Sequence, residues 1–181
     1  MSTAVTLLTV EEYLQLPEKP GVKQELIQGV VFEMGRGRVR HEWVKSRFAE
    51  ALAVYLSTNR IGAVLPETTF VLDEESAPQP DVAFVHSERL AKQNLEKQFQ
   101  GGPDLAIEVV SSETAAQLET KIQLYFRAGA KAVWVAHPER RGVRAYRPDG
   151  SARWLEGSQK LEEPDLLPGF GVKAVDLFEG I

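Results

Sequence analysis

Cysteine is absent from the 181 residues, so neither a disulfide framework nor a thiolate metal site is available. Histidine is scarce: His41, His86 and His137 are the only three, and their spacing matches no zinc motif. No apolar stretch approaches the roughly 18 residues of a membrane span. No basic segment followed by an apolar run opens the chain as a secretory signal would. The Gly-x-Ser-x-Gly elbow of a serine hydrolase is missing, as is a Walker-type glycine loop. An excess of positive charge is lacking too. Lysine and arginine number 21 against 26 acidic residues, a formal net charge of −5, which argues against a protein that coats nucleic acid through charge alone. Together these absences lead us to expect a cytoplasmic protein with no membrane partner.

What is present is ordinary globular material, 43% hydrophobic and 26% charged. A chain of this length suffices for one core, and a single domain over residues 1–181 is expected, with only Met1 to Val5 reading as disordered. Thr9-Val-Glu-Glu12 is a capping box opening a short helix that ends near Pro17. Glu25–Gly29 and Val30–Met34 predict two short strands around a glycine turn. Val44, Phe48, Ala51, Leu52, Tyr55 and Leu56 recur at helical spacing and predict a long helix from Val39 to Ser57. Strand-like runs follow at 61–65, 68–72 and 81–85, then a surface helix over 87–99. Asp104–Val110 is a near-continuous apolar run, expected as a strand buried on both faces. A helix over 113–128, capped by Ser111 or Ser112 and ended by Gly129, and a buried strand at 132–136 come next. Val143–Tyr146 and Ala152–Leu155 flank the hairpin signal Pro148-Asp149-Gly150. The sum is a mixed α/β fold, with hairpins at both ends.

Glu108 stands out because it lies in the middle of the most strand-like segment. Alternation puts Leu105, Ile107 and Val109 on one face and Ala106, Glu108 and Val110 on the other. A buried carboxylate is costly unless it is paired or bound to a cation. A structural salt bridge would satisfy it, but an ionised group in such a place is also a functional candidate. Asp81, after Pro80, taken alone is a turn aspartate; beside Glu108 on a neighbouring strand it completes a pair of hard oxygen donors suited to Mg²⁺. The carbonyl of Val109 is the natural third ligand. Lys121 shares a helix face with Tyr125 and reaches toward the strand end, although any one lysine is more often a surface residue. Glu25 is either a surface strand residue or a fourth member of the cluster. Arg36, Arg38, Arg40, His41 and Lys45 form a basic run that is either solvated surface or a grip on a phosphate backbone, and a histidine at a helix start is more often a helix-end or surface residue. The second group, Arg140, Arg141, Arg144 and Arg147, reads as solvated surface.

Pro80-Asp81, Glu108-Val109-Val110 and Lys121 resemble the PD-(D/E)XK nuclease superfamily, in the variant whose lysine has moved to the following helix. More narrowly, the chain is similar to the Uma-two family of restriction endonuclease-like proteins. The resemblance is carried by Thr9-Val-Glu-Glu-Tyr-Leu14, Glu25-Leu-Ile-Gln-Gly29, His41, Pro80–Val85, Pro103–Ser111, Lys121 with Tyr125, Gly129, Trp134 and Leu167-Pro-Gly-Phe170. It departs from the family at Ser111-Ser112-Glu113, where relatives carry Ser-Pro-Ser. It departs again at Gln117-Leu118-Glu119, where many relatives carry an aspartate. The resemblance implies a restriction endonuclease-like sheet core flanked by helices. It implies Mg²⁺, or Mn²⁺ in its place, on Asp81 and Glu108, with Lys121 as the third signature residue and Glu25 as the early acidic one. Its implied activity is endonucleolytic hydrolysis of nucleic acid, DNA first, with a homodimer expected because a duplex has two strands to cut. Fold and motif do not fix activity. A nucleic-acid- or protein-binding module without catalysis is the alternative, and a structural oligomer subunit is a third.

Overall fold

Local signals in the sequence set the ends of most elements in this computed structural model, which describes residues 7–35 and 37–181. The expectations for Met1–Val5 and for Arg36 fall outside those residues. The expected capping box forms: the Thr9 hydroxyl accepts from the Glu12 amide and Glu12 reaches back to Thr9, starting α1 (Val10–Tyr13). The first hairpin is β1 (Val22–Ile27) and β2 (Val30–Gly35), paired in register from Val22 opposite Gly35 to Ile27 opposite Val30. Its turn holds Gln28 and Gly29 at positive φ, the mirror-image geometry that suits the twist of a two-residue hairpin. A side chain at 29 would also strike Leu7 at 2.8 Å. Next is α2 (Val39–Thr58), which buries Val44, Phe48 and Leu52 at helical spacing as expected.

The chain then lays down β3 (Gly62–Pro66), β4 (Phe70–Val71), β5 (Val82–His86), α3 (Ser87–Leu90), β6 (Phe99–Gln100) and β7 (Leu105–Val109). The surface helix expected over 87–99 is only the four residues of α3. Beyond it Leu95 is the lone large aliphatic side chain before Phe99 and stays exposed, so no apolar stripe draws a longer helix onto the protein. The last part comprises α4 (Ala115–Arg127), β8 (Ala132–His137), β9 (Gly142–Tyr146), β10 (Ala152–Glu156), β11 (Lys160–Leu161) and β12 (Val172–Lys173). The start of α4 also differs from expectation. Thr114, not Ser111 or Ser112, is the cap, because Gln117 three residues on closes a reciprocal box with it.

Six strands form the central sheet in the order β10-β9-β8-β7-β5-β3. Within this sheet, among the described residues, only β7 and β8 run parallel, joined through α4; its other pairs are antiparallel. One face carries Phe84, Ile107, Val109 and Trp134 against α2 and the C-terminal residues Leu161, Leu167 and Phe178. The other carries Ala106, Val133 and Val135 against Leu118, Ile122 and Tyr125 of α4. The alternation expected for β7 therefore holds, and all five of its residues are buried. The first hairpin is a separate two-stranded sheet, whereas β9 and β10 extend the main one. Among the described residues no helix is long and apolar enough to cross a membrane.

Candidate active site

The β5–β7 ladder ends one step before the site. Val82 opposite Ile107 is its last pair, and the same register places Asp81 opposite Glu108. Pro80 has no amide to continue the ladder. Beyond the last pair the Val109 amide donates to a side chain, the Asp81 carboxylate, whose Oδ2 accepts it at 2.8 Å. Two carboxylates facing each other across a strand pair repel, so cations must be nearby. The fold brings them from two other elements.

α4 supplies Lys121. Its buried ammonium lies 2.8 Å from Glu108 Oε1 and 3.1 Å from Glu25 Oε2. Tyr125, one turn further along the same face, donates to Glu108 Oε1 at 2.7 Å. β1 supplies Glu25 and, two residues earlier on the same strand face, Lys23. The Lys23 ammonium sits 3.3 Å from Asp81 Oδ1 and 3.6 Å from Glu25 Oε1. The hairpin is anchored for this by paired bonds between Leu26 and Ala77 and by the Gln79 amide, which donates to Glu25 Oε1 at 2.7 Å. From the first turn of α2, His41 Nε2 lies 3.2 Å from Asp81 Oδ2. Asp81, Glu108, Glu25 and Lys121, drawn from four separate segments, thus meet in one buried cluster.

The electrostatics are uneven across the cluster. Burial opposes the Asp81 charge, yet Lys23 and the His41 hydrogen bond hold its pKa well below the usual carboxylate range. Burial likewise opposes Glu25, and Lys121 and Lys23 overcome it, lowering the pKa. At Glu108 burial wins: despite Lys121, and with Asp81 and Glu25 adding repulsion, its pKa is pushed up to about 7. Burial works against the charge on Lys121, but Glu108 and Glu25 raise its pKa above the ordinary lysine value. Lys23 is raised against its own burial by Asp81 and Glu25, and His41 against its burial by Asp81. Among the described residues, the bonds to Glu108 fall on Oε1. No fully enclosed polar side-chain atom there lacks a partner, and Glu108 borders open space. That space is a cavity of about 540 Å³ lined by Lys23, His41, Asp81, Glu108 and Lys121, among others.

The remaining candidates take different positions. Lys45 lines the same cavity but is ion-paired to Glu42 and, at 2.8 Å, to Glu67. Arg38 and Arg40 stand beside an adjoining cavity, Arg40 paired to Glu139 at 2.6 Å. The Val109 side chain packs into the core on the α2 side. Lys23 is the member that sequence reasoning missed, although its spacing of two from Glu25 on a strand is a usable signal. Tyr125, expected on the helix face of Lys121, is also the hydroxyl donor to Glu108.

The donor chemistry suits a hard divalent cation: two carboxylates on the wall of one cavity. Among the described residues no group of three or more acidic or histidine side chains is gathered as a ready cage. A backbone carbonyl, water or substrate oxygen would have to complete the coordination.

Residues 10–175 match the family Uma2, described as "Putative restriction endonuclease". No curated protein matches the chain. Among solved structures it is similar to a crystal structure described as that of "a putative nuclease belonging to DUF820", from Anabaena variabilis ATCC 29413. The identity is 20% and the TM-score 0.84, over 94% of this chain and 97% of that one. At that identity the likeness speaks for the fold, a restriction endonuclease-like mixed sheet flanked by helices. The family match spans every residue of the cluster, from Lys23 to Tyr125, and the chain belongs to the Uma2 family.

Proposed function

We propose that this chain is a magnesium-dependent endonuclease that hydrolyses phosphodiester bonds of nucleic acid, with DNA as the substrate and Mn²⁺ as a working substitute. The observation that carries the proposal is the meeting of Lys121 with Glu108 at 2.8 Å, beside Asp81, on the wall of an open cavity. A lysine displaced from the strand to a helix still delivers its charge to the carboxylate pair. Asp81 and Glu108, with the Val109 carbonyl, would hold the cation. Bound there, it would polarise a phosphoryl oxygen and make a water more acidic.

The chain's own residues set the rest. His41 and the Val109 amide fix the Asp81 carboxylate. Tyr125 fixes Glu108 from below. Lys121, kept charged and held between Glu108 and Glu25, orients the attacking water and stabilises negative charge as it develops on the phosphate. A new phosphorus–oxygen bond forms to that water as the ester bond to the sugar oxygen breaks. Because a duplex requires two cuts, we extend the proposal to a homodimer.

The test pairs calorimetric titration of Mg²⁺ and Mn²⁺ with a cleavage screen over single- and double-stranded DNA and RNA. The native chain is compared with an Asp81→Ala, Glu108→Ala double variant that circular dichroism shows to be folded. Metal binding and cleavage that both vanish in the variant support the proposal. Failure of the native chain to bind metal, even with an oligonucleotide present, sinks it; nucleic-acid binding without metal or cleavage would instead mark a binding module.

A further inference from the structure

A second cavity, of about 500 Å³, adjoins the first and shares Gly35, Gly37, His41 and Ser111 with it. The two differ in charge. Around the first, carboxylates outnumber ammonium groups five to three. Around the second stand Arg38, Arg40 and Arg140, and among the described residues Glu139 is its one carboxylate. These arginines come from opposite ends of the chain: Arg38 and Arg40 from the start of α2, Arg140 from the turn after β8. Arg140 does not sweep freely. Its guanidinium lies 4.5 Å from the centre of the Trp154 ring, so its donor edge is held at the rim.

We infer that this basic compartment seats a backbone phosphate of the nucleic-acid strand next to the scissile one, with Arg38, Arg40 and Arg140 as its ligands. The inference rests on the nuclease reading for its substrate class. Its own support is the pairing of an anion-rich, cation-accepting chamber with a cation-rich, anion-accepting one along a continuous surface. Guanidinium forks match phosphate oxygens, and Glu139 is their built-in competitor. The 2.6 Å pair between Glu139 and Arg40 holds that arginine until a phosphate displaces the carboxylate. Arg140, exposed as its sequence context leads one to expect, thereby gains a role as a phosphate ligand.

The measurement is fluorescence anisotropy of a labelled oligonucleotide, duplex and single-stranded, titrated in EDTA over a range of salt. Without metal the binding readout is independent of cleavage. Three proteins are compared: native, Arg38→Ala/Arg140→Ala, and Glu139→Gln. All three sites are exposed, so folding is not at stake. The double variant is expected to bind more weakly. Its log–log salt slope on duplex DNA should be shallower by about 1.8, each arginine removed leaving one phosphate to its counterions at roughly 0.9 apiece. Glu139→Gln, which frees Arg40, is expected to bind more tightly, a gain that damage to the fold would not produce. Unchanged slope and affinity in the double variant, or no native binding at low salt, overturns the inference. Cleavage by the native protein with Mg²⁺ alongside an unchanged double variant would overturn the compartment and leave the nuclease standing. The expected slopes without any cleavage would do the reverse.

Discussion

Two glutamates are buried in this protein to almost the same degree, on opposite faces of one sheet, and they serve different ends. Glu163 is on the α2 side. The Trp134 indole donates to its Oε1 at 2.9 Å and Arg147 pairs with its Oε2 at 2.7 Å, so both oxygens are used. Glu108 is on the α4 side. Lys121 and Tyr125 crowd one of its oxygens, and the residue borders a cavity. Burial raises the pKa of both carboxyls. A raised pKa alone therefore does not separate a structural carboxylate from a functional one. What separates them is whether the partners leave an oxygen, and a space, for something else.

The contrast is tested most sharply by Glu108→Gln. This change keeps the shape and the Tyr125 acceptor but removes the charge. If Glu108 serves a cation, cleavage falls by at least about 100-fold, since a metal contributes several kcal/mol to the transition state. Glu25 remains to pair with Lys121, so the variant is expected to stay folded. Loss of stability in place of activity would make Glu108 a second Glu163.

The next effect is on pH dependence. The Glu108 pKa in the folded protein, about 7, lies above its ordinary carboxylate value. Between those two values the folded state holds a proton that the unfolded state has released. Through this group, stability is therefore greatest below the ordinary value and declines as pH rises toward 7. Asp81 has the opposite sign: its contribution is present at neutral pH and is lost only in acid. Denaturant melts of native protein and Glu108→Gln in EDTA, from pH 4.5 to 7.5, are expected to diverge with rising pH. The variant gains by up to about 3 kcal/mol. Parallel curves would mean that the carboxylate is ionised throughout.

Much of this geometry is legible in the chain, and the failures have physical causes. Glu108 announces itself because a charged residue interrupts an apolar strand, and alternation places it on the α4 face. Asp81 and Lys121 follow from the family resemblance, with Tyr125 four residues on marking the helix face. The 20-residue α2 is readable from its apolar spacing within one residue at its end. The helix expected over 87–99 fails because a polar segment offers no stripe to bury. The cap of α4 is misplaced because two serines precede the threonine whose glutamine partner decides the matter. Lys23, and Arg140 beside Arg38 and Arg40, depend on how β1 and the turn after β8 pack in space. Nothing local in a sequence encodes meetings of residues 58 or 99 positions apart, as for Lys23 with Asp81 and Arg40 with Glu139.

The smallest expected effect concerns Glu163 itself. Replacing it by alanine leaves the Trp134 N–H without an acceptor in a fully buried position. An unsatisfied buried donor costs about 1–3 kcal/mol. The Arg147 pair adds little to this, because the arginine side chain is 40% exposed and solvent screens it. Chemical denaturation should show a lower midpoint with an unchanged slope. In a double-mutant cycle with Trp134→Phe, Glu163→Ala should cost less than it does in the native background, because the stranded donor is then gone. Metal binding and cleavage, measured well below the melting temperature, should match those of the native protein. Glu163 sits on the far side of the sheet from Asp81 and Glu108, and its oxygens touch nothing that lines either cavity. A Glu163→Ala protein that stays folded yet fails to bind metal would couple the two faces through β8 and erase the distinction between the two glutamates.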